Sequence, residues 1–300
     1  MYIGENLPKT LKLIKCPHCN APINYVLGET LFTCQYCGYT FSMIKEGEYK
    51  EIAQGKHFVV INNYSRTEME EVLRDWMRKG VLKAGDLAEK SKLIEMELQF
   101  VPIWLVNVSA ETTFRGKKKI ESVETRTLDK GRKETIRKVR WEDKSGEFSD
   151  VIEWKILASR GMRLPLDKVE LSIASKVPFD IENVSPGAKL INGDVHEELA
   201  RQQAESGIQS YHRDKASREV DQILEIESKV QSKDAQLLTI PLWFMRYEYK
   251  NKLYSIIAEG SSGKIVQGEA PMGKFDIALI AGIIITIVVA IIIGVLFWPR

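Results

Sequence analysis

Residues 16–38 read CPHCNAPINYVLGETLFTCQYCG, and this stretch holds all four cysteines of the chain. Its two C-x2-C pairs are separated by fourteen residues, which is typical of two knuckles that close one tetrahedral metal site. Thiolates suit Zn²⁺ because this ion is borderline soft and has no strong geometric preference of its own. The spacing therefore predicts a zinc ribbon over residues 1–45 with one structural Zn²⁺, whose ligands are Cys16, Cys19, Cys34 and Cys37.

A site with four sulfur ligands is closed, because no coordination position is left for water or substrate. The alternatives are an iron-bound redox site and a reactive dithiol. His18 lies inside the first knuckle and is expected to be a bystander, since four cysteines already complete the site. A segment this short needs its metal to fold. The apolar side chains expected to surround the site are Ile23, Tyr25, Leu31, Phe32 and Phe41.

The charge and cysteine content of the whole chain exclude some classes of protein. The 300 residues contain 43 Lys and Arg against 41 Asp and Glu, so the formal charge of +2 does not indicate a polyanionic partner for the chain as a whole. Paired C-x2-C cysteines are typical of a reducing compartment rather than of a secreted disulfide framework. No apolar run of a signal peptide precedes the first cysteine, so we expect most of the chain in the cytosol.

The end of the sequence carries a long apolar stretch. Residues 277–298 hold no charged side chain, and twenty-two helical residues would reach roughly 33 Å against a hydrocarbon core of about 30 Å. This predicts a transmembrane helix at 275–298 and a single-pass, tail-anchored protein of the cell membrane. Small residues recur there every fourth position, which either favours helix–helix packing in a homo-oligomer or reflects how common such residues are in spans. They are Ala278, Gly282, Thr286, Ala290 and Gly294.

The region between ribbon and tail, residues 46–273, is predicted to be an α+β domain rich in strands. Ser65 and Glu68 have capping-box spacing, which predicts the start of a helix that ends near Gly80. A polar helix is expected to begin at Asp194, lying on a sheet or contacting a partner. VPIWLV at 101–106 and IPLWFM at 240–245 share their pattern, so we expect two related sheet units; two unrelated strands are the alternative.

A local charge excess interrupts this domain. Residues 115–140 carry eleven Lys or Arg against four Asp or Glu, an excess of seven. Threonine and β-branched residues flank a turn signal at Gly131, so the segment is predicted to form a long basic β-hairpin. The hairpin could bind nucleic acid phosphates, anionic lipid headgroups or a partner protein, or it could be a solvated element with no ligand. The cations assigned to an anionic surface are Lys117, Lys118, Lys119, Arg126, Lys130, Arg132, Lys133, Arg137, Lys138 and Arg140.

Several motifs resemble those of one protein group. Besides CPHC and CQYCG, they are VPIW at 101–104, WEDKSGEFSDV at 141–151, ILASRG at 156–161 and IPLWFMRYEYKNKLYSIIAEGSSGKIVQGEAP at 240–271. In these the chain resembles a group of zinc-ribbon, membrane-associated proteins of bacteria and archaea that often carry primosomal or helicase-like labels. Some of that group are linked to phage-shock and SPFH envelope-stress systems. The resemblance implies a membrane adaptor and carries over no catalytic residues.

The sequence offers no trace of an active site. The four histidines are scattered, no HExxH motif occurs, and the Gly260–Lys264 segment lacks the spacing of a phosphate-binding loop. We therefore expect no enzyme. The favoured function is an adaptor or scaffold that binds a partner protein or an anionic membrane surface, and the alternative is a nucleic-acid-binding protein.

Overall fold

The fold is described by a computed structural model, which covers residues 11–45, 47–80, 83–127, 133–169 and 176–273, together with 286, 289 and 291. Within these residues the chain is rich in strands and has few helices, as expected. The strands are β1 (Leu11–Lys15), β2 (Pro22–Val26), β3 (Leu31–Thr33), β4 (Thr40–Lys45), β5 (Glu48–Glu51), β6 (His57–Val60), β7 (Lys92–Thr127), β8 (Lys133–Leu157), β9 (Lys176–Pro178), β10 (Lys189–Leu190), β11 (Gln222–Tyr249), β12 (Lys252–Glu259) and β13 (Ile265–Gly268). The helices are α1 (Arg66–Arg78), α2 (Leu87–Lys90) and α3 (Glu197–Glu219).

Three long antiparallel strands form the centre of the molecule. β7 pairs with β11 from Lys92 to Lys117 and with β8 from Ile103 to Thr127. The short strands β6 and β10 add to β11 and β7 in the parallel direction. The ribbon contributes two small separate sheets, β1–β2 and β3–β4–β5.

The two similar hexamers lie side by side on β7 and β11. Val101 is paired with Ile240, and around each the chain runs through a short strand, a helix, a long strand and an antiparallel partner strand, with the short helix α2 as an addition in the first set. The first set is β6, α1, β7 and β8, and the second is β10, α3, β11 and β12. This order fits two related sheet units, although a common origin stays a prediction.

Both longer helices lie on one face of the sheet. The capping box of α1 is confirmed, because Ser65 accepts from the Glu68 N–H and the Glu68 carboxylate accepts from the Ser65 N–H. Helix α3 lies on β7, β8 and β11 and buries one residue in every four, which confirms that it rests on the sheet. Its N-cap is His196 and not Asp194, whose carboxylate instead accepts the Arg160 N–H at 2.7 Å.

Two local predictions in the long strands are wrong. The composition of Ser145-Gly146 predicts a turn, but both residues lie inside β8 opposite Arg115 and Phe114. Gly146 is needed there for another reason, since a Cβ would lie 2.6 Å from the Phe114 ring. The sequence also predicts two strands, at 223–230 and 237–249, but these residues form one strand, β11, with a register shift between Ser232 and Ala235.

The membrane prediction is also corrected. Among the residues that the structure describes, no helix is both long enough and apolar enough to cross a membrane. Helix α1, with 13 residues, reaches only about 20 Å, and α3 is charged along its length. The prediction of a single-pass protein of the cell membrane is therefore wrong for the described part of the chain. Of the predicted packing residues, Thr286 is helical and exposed, whereas Ala278, Gly282, Ala290 and Gly294 lie outside the described residues.

Candidate metal centre

Two equivalent knuckles position the four cysteines. In the first, the Cys16 N–H donates to the carbonyl of Ala21, and in the second the Cys34 N–H donates to the carbonyl of Tyr39, both at 2.9 Å. Each knuckle closes with a residue in the left-handed region, Asn20 at φ 61° and Gly38 at φ 72°. Asparagine and glycine tolerate this backbone conformation best, which explains why they come directly after the second cysteine of each pair.

The four sulfur atoms converge on one point. Cys16 Sγ lies 3.7 Å from Cys37 Sγ, Cys19 Sγ lies 3.7 Å from Cys34 Sγ, and all four lie within 4.8 Å of one another. Metal–sulfur bonds of about 2.3 Å in a tetrahedron place the sulfurs roughly 3.8 Å apart. The donor set and its spacing therefore fit one metal ion, as the sequence predicts.

The thiols differ in exposure and in acidity. Cys16 and Cys34 are buried, Cys37 is half-buried and Cys19 is exposed. A hydrogen bond from the Ala21 N–H lowers the pKa of the Cys19 thiol to about 7, whereas burial raises the pKa of the Cys37 thiol to about 12 and also raises that of Cys34. Because metal ligation requires thiolates, binding of an ion here would release the protons of Cys34 and Cys37.

Aromatic and aliphatic side chains surround the cysteines as expected, with one exception. Ile23, Tyr25, Phe32 and Phe41 form a cluster with Cys16 and Cys34. Leu31 points the opposite way, because neighbouring residues on β3 face opposite sides. It belongs to the core of the β-rich domain, where it contacts the cluster around Trp104. His18 is outside the sulfur group and stacks on Tyr39, with ring centroids 5.4 Å apart, which fits the expected role of a bystander.

A buried histidine joins the ribbon to the rest of the fold. His57 is hydrogen-bonded through Nδ1 to Thr40 of β4 at 3.0 Å and through Nε2 to Thr239 of β11 at 2.9 Å. Its ring stacks on Phe179 at 4.0 Å. Burial lowers the pKa of His57 to about 3, so this link is made by the neutral imidazole. His57 and Glu51 both line a cavity of about 430 Å³.

The basic hairpin is present, and its far end stands clear of the sheet. Strands β7 and β8 pair as far as Thr127 and Lys133, and Gly131, where the sequence predicts the turn, lies outside the described residues. The pairing between β7 and β11 stops where Gln222, the first residue of β11, lies opposite Lys117. The ten pairs beyond Lys117 form a two-stranded extension, residues 118–127 and 133–142, which we call the arm.

Many of the predicted anion-binding cations on the arm have acidic partners. Lys118 lies 3.9 Å from Asp221 and Lys138 lies 2.7 Å from Glu124. Lys119 pairs with Glu121, and Arg140 with Glu142. Lys117 and Arg137 have no ion pair among the described residues. Of the others, Arg126 and Lys133 lie on β7 and β8 at the far end of the arm, whereas Lys130 and Arg132 lie outside the described residues.

The arm also has an apolar component, which was not predicted from the sequence. Val123, Val139 and Trp141 are 63%, 50% and 48% exposed and alternate with the charged residues. They share one face with Lys119 and Arg137, because side chains of residues paired across the two strands point to the same side of the arm. Their alternation with charges is visible in the sequence, but it shows which face they occupy only when the register is known.

Comparison of the chain with protein-family models, with curated proteins and with solved structures gave no match. The resemblance to zinc-ribbon, membrane-associated proteins therefore stays a prediction.

Proposed function

We propose that this protein is an adaptor without catalytic activity, in which a zinc-stabilised ribbon is docked on a β-rich body that presents a basic arm to an acidic partner protein. One structural Zn²⁺, held by the four cysteines, supplies folding free energy to the ribbon. The ribbon in turn contributes Thr40 and Leu31 to contacts with the body. The metal therefore stabilises the scaffold, and the arm binds the partner protein.

The observation that carries this proposal is the difference between the two long hairpins. The β11–β12 hairpin has eight residue pairs, from Leu242 and Glu259 to Tyr249 and Lys252. The corresponding β7–β8 hairpin has twenty-five, from Ile103 and Leu157 to Thr127 and Lys133. The additional length is not required for pairing with β11. An exposed basic extension that the core does not need is well suited to contact a partner.

The composition of the arm favours a protein partner with an acidic surface. Exposed Trp and Arg side chains are enriched where protein interfaces concentrate their binding energy, and Trp141 and Arg137 lie on one face. The positive excess of residues 115–140 attracts an acidic partner and speeds encounter. That same excess favours the second candidate, nucleic acid, whose phosphates would meet the same cations.

The polar groups of the described core support a binding role over an enzymatic one. His212 lies 2.8 Å from Asp150 and 2.7 Å from Thr112, which superficially resembles a catalytic arrangement. Its ring is completely buried beneath α3, and Lys215 also occupies the Asp150 carboxylate at 2.7 Å. A substrate has no access to such a histidine, so the network serves to satisfy polar groups under the helix.

Site-specific photo-crosslinking tests the proposal. A photoreactive residue replaces Val123 on the arm in one variant and Val151 on the body in the other, since both positions are exposed and lie in the same hairpin. In the native host, we expect one recurring acidic protein to crosslink from position 123 and not from position 151. Crosslinks only to nucleic acid, or the same partner from both positions, would contradict it.

A further inference from the structure

The edge of β7 loses its neighbouring strand where the arm begins. Up to Lys117 this edge is paired with β11, but from residue 118 to residue 127 no strand among the described residues pairs with it. An unpaired edge presents a row of backbone N–H and C=O groups, which makes it a template for another strand.

The backbone direction along this edge is fixed by two hydrogen bonds. The Asp221 N–H donates to the Lys117 carbonyl at 2.9 Å, and the Lys119 N–H donates to the Asp221 carboxylate at 2.7 Å. Lys117 and Lys119 therefore both point their backbone groups to the side of β11. Since this direction alternates along a strand, the N–H and C=O groups of Glu121 and Val123 point to the same free edge.

Asp221 also shows which chemistry this edge accepts. Its carboxylate lies at the first position beyond the end of β11, bound to the Lys119 N–H and 3.9 Å from the Lys118 ammonium group. The ion pairs around it are exposed, and such pairs contribute little stability. Lysines 118 and 119 are therefore available to further carboxylates at little cost.

Resting on the proposed role of the arm, we propose that an extended acidic segment of the partner adds to the free edge of β7 beyond Lys117 as a new strand, in line with β11. Main-chain hydrogen bonds to Glu121 and Val123 hold the segment. Carboxylates beside Lys118 on one face and an apolar side chain beside Val123 on the other give selectivity, as in other cases of strand addition.

The probe is a fluorescein-labelled peptide of six Glu-Val repeats, measured by anisotropy with the zinc-loaded full chain at physiological salt. The control peptide has the same sequence with every backbone nitrogen methylated, which keeps its charge and removes the N–H donors from both of its edges. We expect the methylated peptide to bind about tenfold more weakly, because strand addition depends on main-chain hydrogen bonds.

One substitution separates strand addition from charge attraction. Glu121→Pro removes an N–H that faces the free edge and leaves the pairing with β8 intact, whereas Glu121→Gln removes the same negative charge and keeps the N–H. Strand addition predicts about tenfold weaker binding for Glu121→Pro than for Glu121→Gln. Val139→Pro is the matched control, since Val139 is paired with Glu121 and its N–H faces the outer edge of β8.

Each outcome decides between the models. Loss with Glu121→Pro and retention with Val139→Pro support the proposal. Equal binding by the Pro and Gln variants at position 121, or loss only with Val139→Pro, overturns strand addition at this edge while leaving the arm as the binding surface. If a chain without the arm bound the peptide normally, the proposed function itself would fail.

Discussion

Val101 lies directly opposite Ile240 at the centre of the sheet, so the hexamers VPIWLV and IPLWFM run in opposite directions past one point. Two residues further along each strand, at Ile103 and Leu242, pairing with the next long strand begins. The two halves of the sheet are therefore alike up to this point. They differ in the length of the hairpin beyond it, because only the first half extends into the arm.

The first prediction concerns the metal. Elemental analysis of the purified chain should give one zinc per chain, and iron or no metal would contradict the assignment. Cys34→Ser should abolish this stoichiometry and unfold the ribbon, because metal binding in small zinc domains supplies on the order of 10 kcal/mol of folding free energy. His18→Ser, which changes the first knuckle without removing a sulfur, should keep both metal and fold.

The second prediction is a pH dependence from His57. Its pKa is lowered from 6.5 to about 3 by burial, so the unfolded chain binds a proton between these values and the folded chain does not. The free energy of unfolding should therefore have its full value above pH 6.5 and be lower by about 2–3 kcal/mol at pH 4.5. Denaturant titrations at several pH values measure this.

His57→Gln should flatten that dependence, since it removes the titrating group. The exposed His18→Gln variant is the control and should keep it. An unchanged pH profile in His57→Gln would show that other groups cause the loss of stability.

The third prediction concerns the point where α3, β11 and the arm meet. A Cβ at Gly116 would lie 2.5 Å from the Gln222 carbonyl oxygen and 2.6 Å from a methyl group of Val220. Gly116→Ala should therefore lower the free energy of unfolding by about 1–3 kcal/mol. At Gly161 an added Cβ meets no atom within 4 Å, so Gly161→Ala should change it by less than about 0.5 kcal/mol in thermal or chemical unfolding. Equal effects of the two changes would contradict the close packing at Gly116.

Features set by neighbouring residues were predictable from the sequence. The spacing of the four cysteines indicated the metal group, Ser65 and Glu68 indicated the start of α1, and the threonine and β-branched residues on either side of Gly131 indicated the hairpin. In each case the residues that determine the feature lie close together in the chain or satisfy one known coordination geometry.

Features set by distant pairing were not predictable. Ser145-Gly146 has the composition of a turn, but its pairing with Phe114 and Arg115 overrides the local preference. The join made by His57 depends on Thr239, which lies 182 residues away. The free edge of the arm depends on where β11 ends, which no local pattern indicates.

The central claim, that the arm carries the binding site, is tested most directly by calorimetric titration with polyglutamate of about 20 residues. The full chain is compared with a variant in which residues 118–142 are replaced by Asn-Gly, a dipeptide that closes two-residue hairpins. We expect saturable binding to the full chain that weakens with salt, and no binding to the shortened variant, whose zinc content and melting temperature remain those of the full chain. Undiminished binding by a folded, zinc-loaded shortened variant would contradict it.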